Sequence, residues 1–223
     1  MKTAGDFITV GEMNKLFGGY ACIGTAGVEA RILSPTIRRI NPYYITPIEI
    51  DIDMGAKAHN CVDPNHHLQL DINETLECEI YSNPAAAEQE SVVVYLSDQE
   101  ITPIKGKFST VRANVTVALA VSAWTYAEVV LVDDLPVGSY RVVGCRAVID
   151  TCVCMRFVPI GGRSRPGVPC NTDKEEDGTE IFRRGGLGEW FKFDTTQLPG
   201  VEVLGSAAVG AAAYAIYIDV EKI

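Results

Sequence analysis

The chain has 223 residues, 47% of them apolar and 22% charged, with a formal net charge of −10. That length fits one large β-sandwich, or a sandwich with a small added lobe, and the apolar content supplies a sizeable core and excludes global disorder. The acidic balance excludes a surface that coats nucleic acid, because nonspecific phosphate binding needs clustered cations.

Residues 1–19 read as an N-terminal arm. Within it, residues 11–16 (Gly-Glu-Met-Asn-Lys-Leu) can form one or two helical turns before Gly18-Gly19 stops them. No apolar run follows Lys2, so no secretory signal is expected. The cysteines, Cys22, Cys61, Cys78, Cys145, Cys152, Cys154 and Cys170, are odd in number and read as reduced thiols. Cys78 and Cys145 fall in strand patterns and read as small buried hydrophobes.

Residues 20–223 read as a single β domain. Residues 20–33 lean towards strand, and Pro35, Pro42 and Pro47 mark an irregular crossing. Ile48, Ile50 and Ile52 then alternate with Glu49, Asp51 and Asp53, which gives a strand with one wet acidic face. Leu68, Leu70 and Ile72 repeat the pattern, as do Leu76, Cys78 and Ile80. The run Val92-Val93-Val94-Tyr95-Leu96 is apolar on both sides, which places it centrally in a sheet or at an interface.

From Val111 to Ala123 the odd positions are apolar, a span longer than the usual strand and suited to a bent strand or a pair sharing a face. The most apolar run, residues 115–132, is broken by Ser122, Thr125 and Glu128 and alternates like a strand, so it is not a membrane span. Residues 127–131 lead into the turn Leu135-Pro136-Val137-Gly138, and strands follow over 140–149 and 152–158. Residues 159–188 are rich in Gly, Pro and Arg and read as a long loop. Trp190, Phe191 and Phe193 restart a strand, and Tyr214, Ile216, Ile218 and Val220 form the last one, with Asp219 facing out. About ten short strands without an ordinary amphipathic helix indicate an all-β sandwich, barrel or jelly roll.

Chemistry is harder to find. His59, Cys61, His66 and His67 cluster, and Cys152-x-Cys154 offers a second pair, but the spacing matches no standard zinc finger or ribbon. No metal or other cofactor is expected. Neither a Gly-x-Ser-x-Gly elbow nor a phosphate-binding loop occurs, and all three histidines lie in one stretch, so the chain does not read as an enzyme. Asn73-Glu74-Thr75 and Asn114-Val115-Thr116 match the glycosylation pattern by chance. Trp124, Trp190, Tyr43 and Tyr44 are candidates for a glycan-binding face, which keeps a β-sandwich carbohydrate module open as the alternative. Association is favoured by strands apolar on both faces and by arginines on otherwise apolar strands. Arg141, Arg146, Arg156, Arg163, Arg165, Arg183, Arg184 and Trp190 are the candidate subunit-interface residues.

The segments 134–144 (Asp-Leu-Pro-Val-Gly-Ser-Tyr-Arg-Val-Val-Gly), 156–159 (Arg-Phe-Val-Pro), 165–167 (Arg-Pro-Gly) and 183–193 (Arg-Arg-Gly-Gly-Leu-Gly-Glu-Trp-Phe-Lys-Phe) resemble jelly-roll structural proteins of bacterial and archaeal viruses. The resemblance spans roughly residues 46–220 and rests on loose motifs. It implies a jelly-roll-like antiparallel β-sandwich and a non-enzymatic capsid or virion-surface subunit, made in the host cytoplasm and placed in the virion. Its partners would be copies of itself in a symmetric assembly, together with other virion proteins. No membrane contact and no direct nucleic-acid contact are expected. The chain departs from simple coat proteins in lacking a basic N-terminal arm.

Overall fold

The computed structural model describes residues 8–24, 27–40, 43–49, 61–83, 90–171 and 180–223. Among them the regular structure is nearly all β, as the alternation predicts. It divides into two compact units, one built from described residues up to 101 and one from Thr102 to Ile223. Each unit has its own sheet. The acidic strand face at Ile50–Asp53, together with His59 and the Lys174–Asp177 tract, lies outside the described residues.

The first unit runs through β1 (Ile8–Thr9), β2 (Lys15–Ile23), β3 (Gly27–Leu33), a short helix α1 (Pro35–Ile40), β4 (Tyr43–Glu49), β5 (Leu68–Gln69), β6 (Thr75–Ser82) and β7 (Ser91–Ser97). They form one sheet in the order β1-β6-β3-β4-β2-β5, with β7 on the other side of β2. Much of the expected arm belongs to this sheet. Gly11 takes a positive φ of 57° in a tight turn, and the chain then enters β2, where Leu16, Phe17 and Tyr20 are fully buried. The helical turns expected over 11–16 lose to the strand because β7 pairs along β2 on one side and β4 and β5 pair on the other. Pro35, read as part of an irregular crossing, instead opens α1 at the position where a missing N–H costs nothing. Ser34 caps that helix by accepting a hydrogen bond from Ile37 N at 3.0 Å. Leu16, Ile32, Ile37 and Leu76 form the core, with Val92, Val94 and Leu96 packed against it.

Glu74 is buried beside α1 and accepts hydrogen bonds from Thr36 N (2.5 Å) and Asp71 N (2.8 Å). Burial alone would raise its pKa, but the hydrogen bonds from Ser34, Thr36 and Asp71 outweigh that and hold it below the ordinary value. Glu74→Gln keeps the shape but loses the charge that strengthens these bonds. It is expected to cost about 1–3 kcal/mol, read as a lower urea midpoint at neutral pH. The difference should shrink in acid, where the wild-type carboxylate is protonated as well.

The second unit contains β8 (Ser109–Leu119), β9 (Trp124–Leu131), β10 (Ser139–Val148), β11 (Cys152–Val158), β12 (Gly167–Asn171), β13 (Phe191–Asp194), β14 (Gly200–Gly205) and β15 (Val209–Lys222). The order β12-β11-β14-β9-β8-β15-β10 closes on itself, because β12 also pairs with β10, in parallel, through Ala147↔Cys170 and Val148↔Asn171. The closed ring is a barrel, and closure removes the free edges an open sheet would present. Among the described strands of this unit only β13 lies outside the ring, paired to β10. Val111, Ala113, Val115, Val117 and Leu119 all point inward, as their odd-position alternation predicts. Met155, Phe157, Val201, Val203 and Ile216 are fully buried with them.

Two expectations change here. The long loop over 159–188 contains β12, the strand that closes the barrel. Its later part is sewn to β10 by Gly185 N→Val143 O (2.7 Å), and the following Trp190 N→Val142 O bond (2.9 Å) continues the seam. Asp219, expected to face out, is fully buried. It accepts from Arg183 Nε and Nη2 (2.7 and 3.0 Å), Thr110 Oγ1 (2.6 Å) and Arg184 N (2.9 Å). Gly144 opens the space for this contact: a Cβ there would meet Arg183 Cα at 2.7 Å and Asp219 Oδ2 at 2.8 Å. The buried carboxylate thus anchors the arginine loop to the barrel.

Candidate interaction surface

The outer face of the barrel is where large apolar side chains meet water. β9 alternates: Ala127 and Val129 point inward, while Trp124, Tyr126, Glu128 and Val130 point out. Val130 is 60% exposed, Tyr126 57%, Val132 48% and Trp124 38%. Scattered surface hydrophobes need no explanation, but four along one side of a single strand and its extension form a row. On one side of β9 lies β14, with Glu202 opposite Tyr126 and Leu204 opposite Trp124. Beyond it β11 sets Arg156 opposite Glu202. On the other side Asn114 of β8 stands opposite Val130.

Two aromatic rings are fixed by their neighbours. The Tyr126 ring sits against Gly200, where an added Cβ would fall 2.3 Å from Cε2 and 2.4 Å from Oη. The Arg156 guanidinium sits 3.8 Å from the Trp124 ring centre and is paired with Glu202 at 2.7 Å. A guanidinium held flat on an indole while its charge meets a carboxylate gives a rigid, nearly neutral patch.

Among the described residues, Arg141, Arg156 and Arg183 of the arginines singled out in the sequence pair with carboxylates of their own sheet or loop. Arg141 reaches its cross-strand partner Glu221 at 2.5 and 2.8 Å and also Glu189 at 3.4 Å. The Glu221 contact, foremost, raises the Arg141 pKa. Arg156 pairs with Glu202, and Arg183 with Asp219. Arg146 is half-buried opposite Tyr217. Arg163, Arg165 and Arg184 are exposed; Arg165 donates to Gly162 O at 2.7 Å, and Arg184 takes a φ of 49° where its N–H meets Asp219. Trp190 is half-buried, its ring 6.1 Å from that of Phe157, and its indole N–H finds no acceptor among the described residues. The structure gathers Arg156 with the aromatic row and leaves the other arginines elsewhere. Tyr126 and Val130 escape the sequence reading because Ala127, Val129 and Leu131 occupy the opposite parity. The strand then reads as apolar on both faces, without showing which face is open.

The histidines and thiols tell a different story. His66 contacts Asp63 at 2.6 Å on the surface, and His67 lies 3.3 Å from Glu100 and stacks near Phe17. Among the described residues no three His, Cys, Asp or Glu side chains gather in a metal-binding geometry. None of the seven cysteines is in a disulfide. Burial pushes the Cys78 thiol up to about 11 and the Cys154 thiol up to about 12, which removes thiolate character at neutral pH. The recess beside β13, lined by Ser139, Ile160, Phe193 and Asp194, holds one carboxylate. That carboxylate caps a turn, accepting from Thr196 N (2.9 Å) and Thr196 Oγ1 (2.7 Å). Among the described residues no helix is long and apolar enough to cross a membrane. Compared with protein-family models, curated proteins and solved structures, the chain finds no match.

Proposed function

We propose that this chain is a structural, self-assembling subunit, of the capsid or virion-surface kind its sequence resembles, with copies of itself and other virion proteins as partners. The observation that carries the reading is the outward row Trp124, Tyr126, Val130 and Val132, apolar surface that an assembly would cover. The jelly-roll part of the reading rests on the sequence resemblance alone. The strand order supports an all-β subunit with one barrel-shaped unit. The arginine–carboxylate pairs support it less directly, by presenting charges already paired, which cost less to desolvate than unpaired ones.

Sedimentation velocity and negative-stain microscopy across a range of concentrations test the reading, with discrete oligomers or particles as the expected result. A protein that stays monomeric at its highest soluble concentration would end it. Val130→Glu places a charge in the exposed row and is expected to weaken association while changing stability by no more than about 0.5 kcal/mol. Unchanged association in this variant would remove the β9 face from the interface.

A second reading, a glycan-binding module, is favoured by the Tyr126 ring, held against Gly200 in a residue 57% exposed, an aromatic surface of the kind sugars stack on. Glycan-array binding lost in Tyr126→Ala, with the fold retained, would favour it over assembly.

A further inference from the structure

We infer that β7 is a self-pairing edge, at which two copies of the chain join their first-unit sheets by antiparallel β-augmentation. The inference rests on the reading of the chain as a self-assembling subunit and names the contact. Among the described strands β7 pairs only with β2, which puts it at an edge of the sheet those strands form. The sequence is Ser91-Val92-Val93-Val94-Tyr95-Leu96-Ser97, with no charge, no Pro and no Gly, and all seven residues are half-buried. Soluble proteins blunt exposed edges with lysine, proline, bulges or short strands, and β7 has no charge or proline and seven residues of length. The opposite edge of the same sheet is β1, which is two residues long and a poor template. An edge-to-edge contact of β7 with β1 would also build an open filament, whereas β7 with β7 closes on a twofold axis.

The strand is complementary to itself. With the twofold axis at Val94, antiparallel pairing sets Ser91 opposite Ser97, Val92 opposite Leu96, Val93 opposite Tyr95, and Val94 opposite its own copy. Polar ends meet polar ends, and apolar residues meet apolar ones on both faces. One face would continue the core that Val92, Val94 and Leu96 already share, and the other would extend the Tyr95–Tyr20 ring contact, now at 6.5 Å. The same register brings Glu90 opposite Asp98 at each end, the one like-charge encounter in the pairing. Glu90 accepts from Ser82 Oγ at 3.0 Å, a bond an amide oxygen can also accept. This edge therefore carries a built-in brake on its own pairing.

Three variants of the full chain test the contact. Val94→Cys puts two thiols on the axis and is expected to give a covalent dimer under diamide, with mass spectrometry identifying a disulfide that joins position 94 of one copy to position 94 of the other. Val93→Lys is expected to abolish the association seen in the wild type while retaining the circular dichroism of a folded β protein. Glu90→Gln is expected to tighten association by about two- to tenfold, by removing a like-charge pair at both ends. If the wild type assembles but folded Val93→Lys assembles equally and the 94-to-94 disulfide does not form, the edge contact is overturned and the assembly reading survives. If the wild type is monomeric throughout and no cross-link forms, both fall. Should Val93→Lys fail to fold, the presence or absence of the cross-link decides.

Discussion

Asp219→Ala is expected to destabilise the second unit by about 3–5 kcal/mol, the cost of breaking a buried ion pair from one side. The carboxylate is fully buried and receives four hydrogen bonds, two of them from one guanidinium. Removing it takes the Asp219 partner from Arg183, which is itself only 14% exposed, and leaves Thr110 Oγ1 and the Arg184 N–H without this acceptor. The damage should be local at first. The segment around Arg183 and Gly185 should lose hydrogen-exchange protection before the β8–β15 pairing does, since that pairing runs ten registered positions from Val209 to Val220. Arg183→Leu combined with Asp219→Leu should cost less than the two single changes added together, because no charge is then left buried alone. An additive result would show that the pair contributes no coupling.

The pH dependence follows from the same group. Burial by itself would raise the Asp219 pKa, but hydrogen bonds from Arg183, Thr110 and Arg184, together with the Arg183 charge, hold it below the ordinary carboxylate value. A carboxyl whose folded pKa is depressed adds stability that is present above its unfolded pKa and is lost as pH falls through the folded one. Acid should therefore destabilise the wild type below the ordinary carboxylate range, and Asp219→Asn should flatten that limb of the curve. Glu74 acts in the same direction within the first unit. An acid limb unchanged in both Asp219→Asn and Glu74→Gln would mean that other carboxylates set it.

The strands are legible in the sequence because their alternation is clean. In β8, Val111 to Leu119 show one parity buried, and the turn after it is marked by Trp124 falling out of register, where Ser122 takes a φ of 54°. The run 92–96, apolar on both sides, points to a centre or an interface, and the structure places it at an edge. What escapes the sequence depends on partners distant in the chain. β12 (Gly-Val-Pro-Cys-Asn) has weak strand propensity of its own and exists because β10 and β11 flank it. Asp219 looks like the wet position of an alternating strand. It is dry because Gly144 lets the backbone at Arg183 approach and cover it, and no local pattern encodes an arginine 36 residues away. The candidate surface is half legible: Trp124 and Arg156 can each be named, but their stacking across three strands requires the register. Arginines on apolar strands need carboxylates. For Arg141, Arg156 and Arg183 those carboxylates lie within the same chain.

Gly18→Ala is the second large effect, expected to cost about 3 kcal/mol or more in the first unit. Two causes act together. Gly18 has a φ of 136°, a conformation a side chain disfavours, and a Cβ there would lie 1.9 Å from Cys61 O and 3.2 Å from Val62 Cα. Both obstacles are backbone, so neither can swing aside. The segment 61–63 crosses β2 at this point, held by the Gly18↔Val62 bridge and by Asp63 N→Phe17 O at 3.1 Å. Relief requires moving that segment or reshaping the bulge between Leu16 and Gly18, and the bulge sets the register of β7 on β2. Gly11→Ala separates the two causes, since Gly11 also has a positive φ, 57°, but has nothing within 4 Å of an added Cβ. It is expected to cost only about 1–2 kcal/mol, the left-handed penalty alone. Urea unfolding combined with hydrogen exchange checks both, with protection lost first in β2 and β7 of Gly18→Ala. If Gly18→Ala proves no worse than Gly11→Ala, the crossing yields easily and does not fix the register. If it is worse, the register that presents β7 as an edge depends on a residue without a side chain in the neighbouring strand.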